Sequence, residues 1–169
     1  VYLDWIAAQQ DAMRDELLTL SNINSGSLNA AGVNAVGERL AQRFAPLGAT
    51  CEKLDLPAYR QTDDRGHVVE KPIGRAVRLR LRPQAPLRIF LGGHLDTVFS
   101  VSHPFQTARQ KDSDTLHGPG VADLKGGLLV MGLALSALER SPWKSAIGWE
   151  VLMNPDEEIG SQGSAPLLV

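Results

Sequence analysis

Cys51 is the one cysteine in the chain, so no intramolecular disulfide can form and nothing calls for an oxidising compartment. No block of five like charges occurs, and 17 basic against 19 acidic residues leave a net charge of −2. That balance gives no electrostatic footprint for nucleic acid. Long apolar runs are missing too. The longest uncharged stretch that is also mainly apolar, the 13 residues Gly126–Leu138, would reach about 20 Å as a helix, against a hydrocarbon core of about 30 Å. No membrane-spanning segment and no membrane partner are expected. Asp4, Asp11, Arg14, Asp15 and Glu16 interrupt the place where a signal peptide would carry its apolar core. A cytoplasmic location is the expectation, with the start at Val1 leaving room for a leader removed earlier. What is present, 169 residues with 43% apolar and 21% charged side chains, suits one soluble globular domain.

The apolar positions Leu3, Ile6, Ala7, Met13, Leu17, Leu18 and Leu20 recur at helical spacing, so the spacing predicts a first amphipathic helix over Leu3–Leu20. Asn22–Gly26 breaks it. A second helix is expected from about Ala30 to Gly48, with Val33, Val36, Leu40, Phe44 and Leu47 on one face. Thr50–Leu56 alternates as a strand does, Pro57–Gly74 reads as a polar connection, and Ala76–Leu81 alternates with Arg78 and Arg80 as a strand with one wet face. Leu87–Gly93 is short and apolar, fit for a buried strand. Ser100–Gly120 reads as loop with a short strand near Leu116. Gly126–Leu138 is apolar around almost its whole circumference, which suits a helix packed into a sheet, and Ala146–Met153 is a further buried strand. The order points to the α/β class, a layered mixed sheet with helices on both faces. No return helix and strand follow the last of these strands before Val169, so the sheet is expected to be truncated.

Three polar clusters stand at element ends: His94-Leu95-Asp96, Asp123, and Asp156-Glu157-Glu158. His94 and Asp123 are 29 residues apart and Asp123 and Glu158 are 35 apart, each about one strand-plus-helix unit, as expected for neighbouring strand ends. In open α/β sheets ligands bind outside the carboxyl ends of strands. Each cluster alone has a plain reading. His94 can be a surface histidine at a strand end, Asp123 an N-cap for the helix behind it, and the acids a solvated turn. The chemical reading gives His94 to a metal, with Asp96 two residues on and able to take its second N–H. It lets one of the two glutamates bind metal while its neighbour takes a proton from a water. A phosphate loop fails, since no glycine precedes Lys125 and no Ser or Thr follows it. His67 and His103 read as surface residues, Cys51 as a small core residue, and Ser25 and Ser27 as a turn.

Taken jointly, Gly93-His94-Leu95-Asp96-Thr97-Val98, Gly118-Pro119-Gly120-Val121-Ala122-Asp123-Leu124-Lys125-Gly126-Gly127 and Asp156-Glu157-Glu158-Ile159-Gly160-Ser161 closely resemble three signature segments. They are those of the di-zinc metallopeptidase family of glutamate carboxypeptidase, acetylornithine deacetylase, succinyl-diaminopimelate desuccinylase and aminoacylase. Ser25–Gly32 is similar to the segment that bacterial glutamate carboxypeptidases carry after their first helix. The resemblance implies that His94 binds one zinc, Asp123 bridges both, Glu158 binds the other, Glu157 is the general base and Asp96 supports His94. It also implies a cis peptide at Asp123-Leu124.

The activity so implied is hydrolysis of an amide in a small N-acyl amino acid or short peptide by a zinc-bound water. Two Zn2+ are implied per complete subunit, with cobalt or manganese as substitutes. The alternative is a non-catalytic binding or interaction domain that keeps the fold, or an inactive fragment. On the same resemblance residues 1–169 are the N-terminal part of the catalytic domain. The rest of that domain and a dimerisation domain lie outside the chain, which alone is expected to be inactive, and the full-length protein is expected to be a homodimer.

Overall fold

The structure, a computed structural model, describes residues 2–168. The side chains of Tyr2 and Leu3 lie outside the description, so the place given to Leu3 on an apolar face does too. The expected first helix is two, α1 (Tyr2–Ala7) and α2 (Gln10–Ser21), and α3 runs over Ala30–Phe44. Asn29 caps α3, its side chain accepting from the Gly32 N–H, which satisfies one of the donors a helix start leaves free.

Four strands build the central sheet: β1 (Thr50–Leu54), β4 (Ala76–Leu81), β5 (Leu87–His94) and β8 (Ile147–Asn154), in the order β1-β4-β8-β5. β5 and β8 run parallel, and the other neighbours are antiparallel. The sheet is therefore mixed, as the α/β reading expects. The crossover from β5 to β8 passes through α4 (Gly126–Glu139), which a parallel pair requires. Two hairpins were not read as such: β2 (Tyr59–Thr62) with β3 (Val68–Lys71), inside the supposed polar connection, and β6 (Arg109–Asp112) with β7 (Thr115–His117).

The core lies between the helices and one face of the sheet. Val77, Leu79, Trp149, Val151 and Met153 alternate along β4 and β8 and meet Leu20 of α2, Val33, Val36, Leu40 and Phe44 of α3, and Leu128, Leu129 and Leu135 of α4. Burying each such side chain contributes about 1.5–3 kcal/mol. Gly93 lets α4 come close to β5, since a Cβ there would lie 2.7 Å from Leu128 Cδ2. α2, α3 and α4 gather on this face. The other carries a charged ladder, with Arg78 3.0 Å from Glu150 and Arg80 2.8 Å from Glu52, which is the wet face that Ala76–Leu81 announced.

Two expectations are corrected. Cys51 is exposed, because β1 is an edge strand. The 19 residues Val121–Glu139 form one helical run that is long and apolar enough, by length and composition, to cross a membrane, where the uncharged apolar stretch within it has only 13 residues. Within the fold that run breaks at Asp123 (φ −131°, ψ 98°), and Leu128, Leu129 and Leu135 are in the core.

Candidate metal centre

β5 and β8 lie side by side with His94 opposite Asn154, so their carboxyl ends deliver His94 and the Asp156–Glu158 turn to one place. Asp123 arrives from the loop that leads into α4, and the three clusters converge. His94 Nε2 is 2.9 Å from Asp123 Oδ1 and 4.0 Å from Glu157 Oε2. Ligand atoms of His94, Glu157 and Glu158 all lie within 4.8 Å of one another. Asp123 does not cap α4, whose N-cap position is Lys125; its carboxylate faces the imidazole instead. The peptide Asp123-Leu124 is cis.

Asp96 is fully buried and does more than the sequence suggested. His94 Nδ1 sits 3.1 Å from the Asp96 main-chain oxygen and 3.4 Å from Oδ1. The carboxylate also accepts the Glu157 N–H at 3.2 Å, the Glu158 N–H at 3.1 Å and the Ser27 hydroxyl at 2.7 Å. One side chain thus orients the histidine and both glutamates. Asp156, read as part of a solvated turn, is 1% exposed; its Oδ2 accepts the N–H groups of Gly163 and Ser164 and fixes the turn from behind. His67 and His103 are exposed as expected.

Burial alone would lower the His94 pKa, but hydrogen bonds to Asp96 and Asp123 and the Asp96 charge outweigh it and hold the imidazole at about 9. Glu158 is pushed up by burial first and then by Asp123, with His94 opposing and Asp96 and Glu157 adding. Carboxylates crowded enough to push Glu158 up fit a cation, which removes the repulsion. A donor set of imidazole and carboxylate without thiolate suits zinc, cobalt or manganese. Beside Glu158 lies an open hollow of about 410 Å³, lined by Ser27, Leu28, Val98, Val101 and Ile159 among others.

Sequence reasoning missed Ser27 and Lys125. Lys125 is 1% exposed and burial lowers its pKa to about 8. The resemblance to a Ser-Gly-Ser segment was the available signal for Ser27; nothing local marked Lys125.

Residues 90–169 match the model of the family described as peptidase family M20/M25/M40. Carboxypeptidase G2 of Pseudomonas sp. (strain RS-16) is 30% identical over 160 residues, which are 95% of this chain and 36% of that protein. Human carnosine dipeptidase 1 superposes with a TM-score of 0.77 at 20% identity, over 99% of this chain and 36% of its own. The M20 family metallo-carboxypeptidase Sso-CP2 of Sulfolobus solfataricus superposes at 0.68 and 18% identity, over 92% and 33%. These two structures bear on the fold. The chain spans about a third of the length of the relatives it matches.

Proposed function

We propose that this chain, a peptidase family M20 segment with the fold of that family's catalytic domains, supplies the metal-binding end of an amide hydrolase, an exopeptidase or deacylase of glutamate carboxypeptidase type. The observation that carries the reading is the convergence of His94, Asp123, Glu157 and Glu158 on the adjacent ends of β5 and β8. His94 and Glu158 would each hold one divalent cation, zinc by preference, with Asp123 between them. Such a pair, when bound, polarises the scissile carbonyl and lowers the pKa of a water.

The chain's own groups do the rest. Glu157, with 53% of its side chain exposed, is free to take a proton from the attacking water and deliver it to the leaving nitrogen. Asp96 holds the main chain of both glutamates, so the base and its metal-binding neighbour keep a fixed separation. A small N-acyl amino acid or short peptide would lie across the hollow beside Glu158.

The test is hydrolysis of N-acyl amino acids and dipeptides by the full-length gene product, with and without chelator. Glu157→Gln is expected to keep its metal and lose about 10²–10⁴-fold in turnover, whereas Asp123→Ala loses the metal. Activity indifferent to chelation, or equal metal loss in both variants, overturns the assignment; a metal-free, inactive protein supports the binding-domain alternative.

A further inference from the structure

The Ser25-Gly26-Ser27 segment and Lys125 are left without a part in this chemistry, yet both are buried against it. Lys125 Nζ donates to the main-chain oxygens of Leu20 at 3.0 Å and Ile23 at 2.8 Å, across 105 and 102 residues of sequence. The Leu20 carbonyl, which also accepts the Ile23 N–H at 3.1 Å, lies in the last turn of α2 and that of Ile23 just past its end, where a cation is favoured. From Ile23 the chain continues into Ser25, whose oxygen accepts the Thr97 N–H at 2.9 Å, while the Ser27 N–H donates to the Thr97 oxygen at 3.2 Å. Gly26 forms a parallel bridge with Thr97, and a Cβ on it would stand 2.5 Å from the Phe99 oxygen. The Ser27 hydroxyl then reaches Asp96, which holds Glu157 and Glu158.

We infer that the Leu20–Ser27 turn is a positioning bracket for the metal centre, with Lys125 and Ser27 as its two positioning residues. Lys125 ties the Asp123 loop to one end of the turn, and Ser27 ties Asp96 and the glutamate pair to the other. Between them they set the separation of Asp123 from Glu158. Gly120, at φ +71°, belongs to the same device: a Cβ there would lie 2.9 Å from Thr97 Cγ2 and 3.0 Å from Lys125 Cδ, so the loop closes on the bracket only without a side chain.

The inference rests on the proposed metal site. It is tested by titrating the full-length gene product with Co2+, reading affinity by chelator competition, coordination by the visible absorption band, and stability by thermal melting. Outer partners of metal ligands are worth 10–100-fold in affinity. Ser27→Ala and Lys125→Met are expected to weaken Co2+ binding about tenfold or more and to alter the band. Ser27→Thr, which keeps the hydroxyl, restores both. Leu135→Ala, a core truncation at the far part of α4, lowers the melting temperature but leaves affinity and band unchanged. Affinity loss in Ser27→Ala and Lys125→Met no greater than in Leu135→Ala overturns the bracket and leaves the metal site standing. No Co2+ binding by the unsubstituted protein overturns both.

Discussion

The carboxyl ends of β5 and β8 and an outer flank, made by both faces of the edge strand β5 and the solvent side of α4, reverse the usual relation between polarity and burial. At the strand ends Asp96, Lys125, Asp156 and Ser27 are buried, and each is held by main-chain groups or by a neighbour. On the flank Phe90 is 52% exposed, Leu87 55% and Val130 61%. A buried polar group costs several kcal/mol unless hydrogen bonds replace water, so the first arrangement depends on the bonds made by Asp96, Lys125, Ser27 and Asp156 Oδ2, while Asp156 Oδ1 is left without a partner among the described residues. An apolar side chain left in water has no such constraint; it simply leaves surface that a second copy or another segment can cover. The difference teaches that burial in this chain follows hydrogen bonding at the strand ends as much as it follows apolarity elsewhere.

Removing the hub of the first region gives the largest effect. Asp96→Ala strands two partly buried N–H groups and a buried hydroxyl, each worth up to about 1–3 kcal/mol when left unpaired. A loss of about 3 kcal/mol in urea unfolding is expected; a loss under about 0.5 kcal/mol, the range of ordinary surface changes, erases the contrast between the two regions.

Next in size is the pH response. With no metal bound, His94 is raised from 6.5 to about 9, so the stability it contributes is fully present below pH 6.5 and is lost as pH rises through 9. Lys125 is lowered from 10.5 to about 8, so its penalty is in force below 8 and is relieved between 8 and 10.5. Melting temperatures in chelator are therefore expected to fall between pH 6.5 and 8, and a rise over that window contradicts the His94 environment. Because a metal must displace the His94 proton, divalent-cation affinity is expected to climb by up to about tenfold per pH unit until about 9.

The smallest effect on stability belongs to the flank. Phe90→Lys and Val130→Glu are expected to change the unfolding free energy read in urea by no more than about 0.5 kcal/mol. A large destabilisation would show that the flank is structural after all.

Apart from the hairpin of β6 and β7, the segment from Leu87 to Glu158 was largely legible, because two short apolar strands each ended in a polar cluster and an apolar helix was preceded by one. The hairpin of β2 and β3 was not, since Tyr59–Thr62 and Val68–Lys71 lie half in water and carry little apolar alternation. Ser27 and Lys125 were missed for another reason. Their partners lie 69 and more than 100 residues away, and no local pattern encodes a bond across that distance. Asp156 looked like one of three solvated acids; only the return of Gly163 and Ser164 onto it shows that it is buried.

The central proposal is that His94, Asp123 and Glu158 hold two divalent cations where the ends of β5 and β8 meet. Anomalous diffraction from crystals of the full-length gene product grown with zinc tests it most directly. The account predicts one peak about 2.0–2.2 Å from His94 Nε2 and a second at that distance from a Glu158 carboxylate oxygen, each also that close to an Asp123 carboxylate oxygen. Anomalous density elsewhere, or none at these residues in a zinc-replete crystal, would contradict it.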